Sequence, residues 1–497
     1  MSASLDSVGA LGTTLLQGGL GNLAAYLAAH VLLCLLPAFF IAGAMSALIP
    51  KQAITRFLGR TAPRTTSYPA AAAAGSLLAV CSCTIVPLFA GIFAKGAGLG
   101  PAITFLFFAP AGNILALVYT GGVIGPDLAL ARLVLSLVFG IGIGLIMALI
   151  FRGDDAAHDR ATDAMFAAQG ARGMHRAALV FLLLWLALLL LGTLKLDVLT
   201  HARWSVDLPL AGADAWQQAL DRLVPPDPGR GEEGVSVQGV VLIGLLVAIG
   251  IAAWRGLENI HEGVTAWTRA SLILIAATLL FAALSVRATP TGLRIDFAGR
   301  FFAIAVALAL LGHLGRSRLS ADELRDWLWE SWRFVKQIFP LLVAGVFVVG
   351  MARVVIRPEW IEAVAGTNSV AGNLAGVAFG VFMYFPTLVE VPIARMFLDL
   401  GMHRGPLLAY LMADPELSLQ SILIISAIIG KAKAWTYVGL VALFSAAAGL
   451  IYGAWVDGTS PFLLALWLAG FIASLAVLLV VANRRSSPLP EADHAHH

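Results

Sequence analysis

Charge is scarce in this sequence. Asp, Glu, Lys and Arg make up 12% of its 497 residues, where a soluble protein carries about a quarter. An ordinary water-soluble domain is therefore excluded. The net charge of +3 leaves no case for binding nucleic acid. Cysteine is scarcer still: Cys34, Cys81 and Cys83 are the whole supply, and all three lie in apolar sequence. That excludes a secreted disulfide scaffold. No Gly-x-x-x-x-Gly-Lys-Ser/Thr phosphate loop occurs, so ATP is not used by that route. Neither a His-Glu-x-x-His pair nor a nucleophile elbow occurs. The chain is expected not to be an enzyme and to need no cofactor.

What fills the sequence instead is apolar. Hydrophobic residues make up 59% of it. Crossing ~30 Å of hydrocarbon takes about 20 helical residues. Clear candidates are Leu23–Ile49, Leu128–Phe151, Ala177–Leu194, Val237–Trp254, Ala270–Val286, Phe301–Leu314, Phe339–Val355, Ala434–Trp455 and Pro461–Val481. The runs are continuous rather than alternating, which favours helices over a barrel. Met1–Gly21 lacks a basic start and a cleavage site, so Leu23–Ile49 reads as a retained span. The composition predicts an all-α, multi-pass protein of a bacterial inner membrane, with the lipid bilayer as a partner.

One stretch does not suit lipid. It reads Cys81-Ser-Cys-Thr-Ile-Val-Pro87, then Lys95-Gly-Ala-Gly-Leu-Gly-Pro101, then Pro110-Ala-Gly-Asn113. Broken backbone at membrane depth survives only inside protein or along a watery cavity, so a transported substrate is sought here first. A second stretch resembles it at an offset of 305 residues. Gly75 falls on Gly380, Pro87 on Pro392, Gly96 on Gly401, Gly100-Pro101 on Gly405-Pro406, and Pro110 on Pro415. Lys51, Arg56, Arg60 and Arg64 follow the first span, whereas Arg333 and Lys336 precede Phe339–Val355. By the positive-inside rule, equivalent helices then point opposite ways. The expected architecture is two inverted repeats with broken-helix hairpins plus an inserted helical segment. Its parts are residues 1–151, an insertion over 152–334, a second repeat over 335–455, and a final span and polar tail over 456–497. The insertion should hold about four spans, an outside loop over Lys195–Gln238, and an interfacial helix. That helix starts at the capping box Ser320-Ala-Asp-Glu323 and carries Leu324, Trp327, Leu328 and Trp332 on one face.

Soft thiolates suit soft metals and metalloids. Cys81 and Cys83 would share one ion only on unwound backbone, because helical residues two apart diverge. Cys34 could add a third thiol; equally, buried cysteine is a common small apolar residue. Glu390 lies in Phe385-Pro386-Thr387-Leu-Val-Glu390-Val-Pro392, and an ionisable group within a span is a functional candidate. Its alternative role is a structural pair with Arg395. Lys95, Asp414 and Glu416 are candidate coupling groups, or helix-end charges that satisfy dipoles. Thr84, Pro87, Asn113, Pro386, Thr387 and Ser418 complete the candidate substrate site; Asn113 and Ser418 would otherwise bond freed backbone.

These residues resemble the ArsP-type permease family. The likeness rests on Cys81-Ser-Cys83, Pro87, Gly91, Lys95-Gly-Ala97, Gly100, Ala102, Phe105-Leu106, Pro110 and Asn113. The second copy adds Pro386-Thr387, Glu390, Pro392, Gly401, Gly405-Pro406 and Pro415. It covers roughly residues 22–151 and 335–455, and the chain departs from compact members by its insertion, Arg152–Leu314. The resemblance implies a permease, with export of trivalent organoarsenicals or metals among the activities of members. The expectation is secondary-active efflux of a soft, thiol-seeking species, with an anion permease or a non-transport scaffold as alternatives. A homo-oligomer is compatible with the sequence.

Overall fold

The computed structural model describes residues 2–29, 31–49, 51–60, 62–77, 82–167, 176–193, 197–210, 212–225, 234–355, 359–382 and 390–485. The first half opens with α1 (Ser2–Ala29), α2 (Val31–Leu48) and the short amphipathic α3 (Lys51–Leu58). Then come α4 (Arg64–Leu77), α5 (Ser82–Ala94), α6 (Leu99–Ala111) and α7 (Ile114–Val123), each too short to cross ~30 Å alone. Together α6 and α7 run 25 residues and are apolar enough to span. The long α8 (Pro126–Ile150) closes this half. Continuous apolar sequence becomes helix because only helix satisfies every backbone group within one segment.

The insertion comprises α9 (Arg152–Ala167), α10 (Arg176–Thr193), α11 (Asp197–Thr200), β1 (Ala202–Leu208), α12 (Ala213–Leu223), α13 (Val237–Leu257), α14 (Ala266–Ala282), β2 (Ser285–Thr289), β3 (Gly292–Ala298) and α15 (Gly299–Arg318). The strands form an antiparallel sheet in the order β1-β3-β2, which composition did not announce. Ser205 faces Asp296 across β1–β3 and donates to its carboxylate at 2.7 Å. The run expected to span to Val286 ends earlier, because Val286 already belongs to β2. Residues on both sides of α13 and α14 thus join one sheet, so those two loops share a side.

The second half holds α16 (Ala321–Val355), α17 (Glu359–Ala365), α18 (Val370–Phe382), α19 (Glu390–Asp399), α20 (Arg404–Leu417), α21 (Leu419–Ile429), α22 (Lys431–Val456) and α23 (Pro461–Arg485). The capping box forms: Ser320 N donates to Glu323, and Glu323 N to Ser320 Oγ. The interfacial helix does not. Residues 321–355 make one helix of 35 residues that runs through Pro340. Trp327 is buried, donates from its indole to Phe40 O at 3.0 Å, and packs on Phe181 and Trp185. A partner for the indole N–H and for its rings inside the protein outweighs a place at the headgroups. Among the described residues seven helices are long and apolar enough to cross a membrane, or eight when the bent pair α20–α21, at 48°, counts as one span. The chain is an all-α polytopic membrane protein with a small added sheet.

The 305-residue offset reappears as contacts. Gly98 N donates to Leu58 O at 2.7 Å, and His403 N, 305 residues on, donates to Ala365 O at 2.9 Å, an acceptor shifted two residues further along. Gly96 and Gly401 both turn with φ near the left-handed value, 85° and 90°, where a side chain would be strained. A Cβ on Gly144 would lie 2.6 Å from Gly100 O, and one on Gly449 2.6 Å from Gly405 O. Phe139 and Phe444, also 305 apart, meet edge to face with centroids 4.9 Å apart. At the centre α6 and α20 pack on each other, buried along nearly their whole length.

Candidate functional site

The site begins at the interruptions in the two central helices. Pro110 sits in the last turn of α6, and the chain re-enters helix only at Ile114. Asn113 caps that restart: its side-chain oxygen accepts from Ala116 N at 2.7 Å, and its amide donates to Pro110 O at 3.1 Å. Asn113 thereby satisfies freed backbone, the plainer of its two expected roles. The carbonyl of Ala111 is satisfied from elsewhere. Arg132, on α8 and fully buried, donates to it from Nε at 3.0 Å. The same guanidinium reaches Thr120 Oγ1 on α7 at 3.3 Å and Glu390 Oε1 at 2.6 Å.

Glu390 is the first residue of α19 and has no exposed surface. A carboxylate there is favoured by the helix N-terminus and by a bidentate-capable guanidinium. Its second oxygen, Oε2, has no hydrogen-bond partner among the described residues. Glu390 does not pair with Arg395, the partner weighed from sequence. Arg395 points outward to Asp399 at 3.2 Å, one helical turn on, with both side chains more than half exposed. The true partner, Arg132, was missed. Its signal was present, because a lone arginine interrupts the apolar run of α8, and an ionisable residue within a span marks function by default.

The second interruption is built differently. Ser418 precedes α21 but does not cap it; its hydroxyl donates to Ser421 Oγ at 2.8 Å. Glu416, buried in the last turn of α20, accepts from the Tyr437 hydroxyl at 2.5 Å. Subtracting 305 places Glu416 on Ala111 and Tyr437 on Arg132. The same two positions are joined in each half, by guanidinium to carbonyl in one and by phenol to carboxylate in the other. Gln420 is buried where a Cβ on Gly345 would touch it, and neither end of its amide has a partner among the described residues. Asp414 is buried on α20, where Gly380 lets α18 approach its backbone.

The remaining candidates scatter. Thr84 is buried, and Pro87 lies within α5. Lys95, also buried, occupies the turn between α5 and α6 in the field of Glu330. Lys95, Glu390 and Glu416 thus belong to three separate places. Cys81, Pro386 and Thr387 lie outside the described residues, as do the side chains of Cys34 and Cys83, so the expected thiol cluster falls there. Among the described residues no three His, Cys, Asp or Glu side chains converge as a metal site. A second ion pair joins the halves: Arg404, opening α20, holds Asp127, opening α8, at 2.8 Å, and the Tyr452 hydroxyl donates to the same carboxylate at 2.8 Å.

The chain is similar to known proteins along most of its length. The UPF0718 protein MJ0584 of Methanocaldococcus jannaschii is 31% identical over 436 residues, covering 86% of this chain and 93% of that protein. The UPF0718 protein YraQ of Escherichia coli is 30% identical over 127 residues, 26% of this chain and 35% of that protein. No solved structure matches the chain. Residues 18–454, which take in both interrupted helices, both ion pairs and the insertion between them, match the ArsP_1 family, described as a predicted permease. The chain belongs to that family of permeases.

Proposed function

We propose that the chain is a secondary-active permease of a bacterial inner membrane that exports a small, soft, thiol-seeking substrate, such as a trivalent organoarsenical or a related metalloid. Its two halves, set in opposite directions across the bilayer, would close alternately on either side of the central interruptions. The observation that carries the transport reading is the Arg132–Glu390 pair, buried between the halves. A buried ion pair is a weak stabiliser, and an apolar pair of the same shape often does as well. Charge kept there calls for a role, and a proton arriving on Glu390 would free Arg132 from it. The soft-substrate reading draws on Cys81 and Cys83, two thiols two residues apart in the sequence.

Arg132 also favours a second reading, export or uptake of an anion. Once released from Glu390, its guanidinium suits a carboxylate or oxyanion. One experiment separates the two. A sensitised bacterium expressing the chain is grown across a panel of arsenicals, antimonials and metals, beside Cys81→Ser/Cys83→Ser at equal membrane level. Resistance to trivalent soft species that the double variant loses is the expected result. Unchanged resistance in the double variant removes the thiols from the site and leaves the anion reading.

A further inference from the structure

Where α3, α4, α6 and α8 end on the arginine-rich face, they surround a cavity of about 250 Å³. Arg60, Arg64 and Arg152 line it, with Ser67, Tyr68 and Asp155. Three arginines therefore line the cavity beside a single lining carboxylate, and that carboxylate is already engaged. Asp155 Oδ1 accepts from Leu99 N at 2.9 Å and caps the start of α6. Burial raises the pKa of its carboxyl. Arg60 reaches Asp159 only at 3.9 Å, and Arg64 and Arg152 form no ion pair among the described residues. Like charges gathered round a cavity repel unless an anion enters. Arginine forks match phosphate oxygens two at a time, and the Ser67 and Tyr68 side chains add hydroxyls at the same wall.

The surroundings point to the form the phosphate takes. Ala148 and Leu149, at the inner end of α8, form the apolar edge of the cavity. Leu149 and Ile150 are exposed there, and the half-buried Leu145 and Ile141 continue the apolar surface along the same helix. A molecule with a phosphate in the cavity could lay a hydrocarbon chain on that surface. By the charge distribution this face is cytoplasmic, where basic pockets between membrane helices take anionic headgroups.

We propose that the cavity bounded by Arg60, Arg64 and Arg152 is a phosphate-binding site, and that the phosphate is the headgroup of an anionic phospholipid in the adjoining leaflet. The site does not depend on which substrate the central interruptions carry. It is separate from the Arg132–Glu390 pair, which lies near the opposite end of α8.

The test is thermal unfolding of the purified full chain in a neutral detergent. It is titrated with phosphatidylglycerol, with phosphatidylcholine, and with sodium phosphate against sodium chloride at equal ionic strength. Phosphatidylglycerol is expected to raise the midpoint saturably and phosphatidylcholine to do much less. Arg60→Gln/Arg64→Gln/Arg152→Gln should weaken that response on the order of tenfold or more, while Arg395→Gln, at an exposed pair elsewhere, leaves it intact. If the triple variant does not fold, Arg64→Gln alone, at an exposed side chain, should still weaken the response several-fold. A saturable response to sodium phosphate, lost in the variants and without any lipid response, keeps the site and assigns it a soluble phosphate compound. Responses that are equal in wild type and variants, or absent for both lipid and phosphate, overturn the proposal.

Discussion

Arg132 shows how much one side chain settles in a chain with so few charges. It satisfies a carbonyl freed at the α6–α7 interruption, a threonine on α7 and a carboxylate from the other half. Removing one member of such a pair strands a buried charge, at a cost of about 3–5 kcal/mol. Arg132→Met is therefore expected to lower the midpoint of thermal unfolding sharply, and Glu390→Met likewise. The double variant Arg132→Met/Glu390→Met should recover much of that loss. Stability alone does not separate a structural from a coupling role, so the second readout is gradient-driven transport in vesicles. Transport in the restored double variant at the wild-type rate would show that the pair only holds the halves together. Sequence exposed Glu390 but not its partner, because the two lie 258 residues apart and nothing local links them. It chose Arg395 by proximity along the chain, yet one turn of helix carries Arg395 to the outer surface and Asp399.

Elements were legible where their geometry is written in residues that fix backbone. Proline and glycine mark the interruptions, so both hairpins and the bent helices were readable, and the repeated spacing survives as repeated contacts. Two elements were not. The sheet pairs Ser205 with Asp296, across three intervening helices, and its strands are too short and mixed to stand out from loop. The helix of α16 was divided in two because a tryptophan face suggests the membrane surface, whereas here aromatic packing and an indole hydrogen bond turn that face inward. The recurring glycine contacts give a test at this scale. Gly144→Ala and Gly449→Ala would each place a methyl about 2.6 Å from a carbonyl of the neighbouring helix. Overpacking of this kind costs about 1–3 kcal/mol. Gly122→Ala and Gly439→Ala meet open space and should behave as wild type. The measurement is the yield of monodisperse protein in detergent together with its unfolding midpoint; equal behaviour of all four would refute the close helix approach.

For the whole molecule, the shared sheet fixes which connections lie together. Because β1 pairs with β3, the segments before α13 and after α14 must emerge on one side, and the basic residues after α2 assign the other side to the cytoplasm. In intact cells a membrane-impermeant maleimide should label Thr289→Cys, in the hairpin of the sheet, above the unsubstituted chain. Arg160→Cys, on α9, should react only after permeabilisation. Labelling of both in intact cells would break the topology. The helix α16 spans this frame with length to spare. Its 35 residues extend about 50 Å, against ~30 Å of hydrocarbon. On either side of its middle, Trp332 and Lys336 clasp Glu258, at 2.8 and 2.7 Å, and Asn22 donates to Val346 O at 2.8 Å. A helix gripped near its middle has a fulcrum there. In the alternating access proposed above, a small tilt about that point would move the two ends in opposite senses, so opening on one face of the bilayer would be bound to closing on the other.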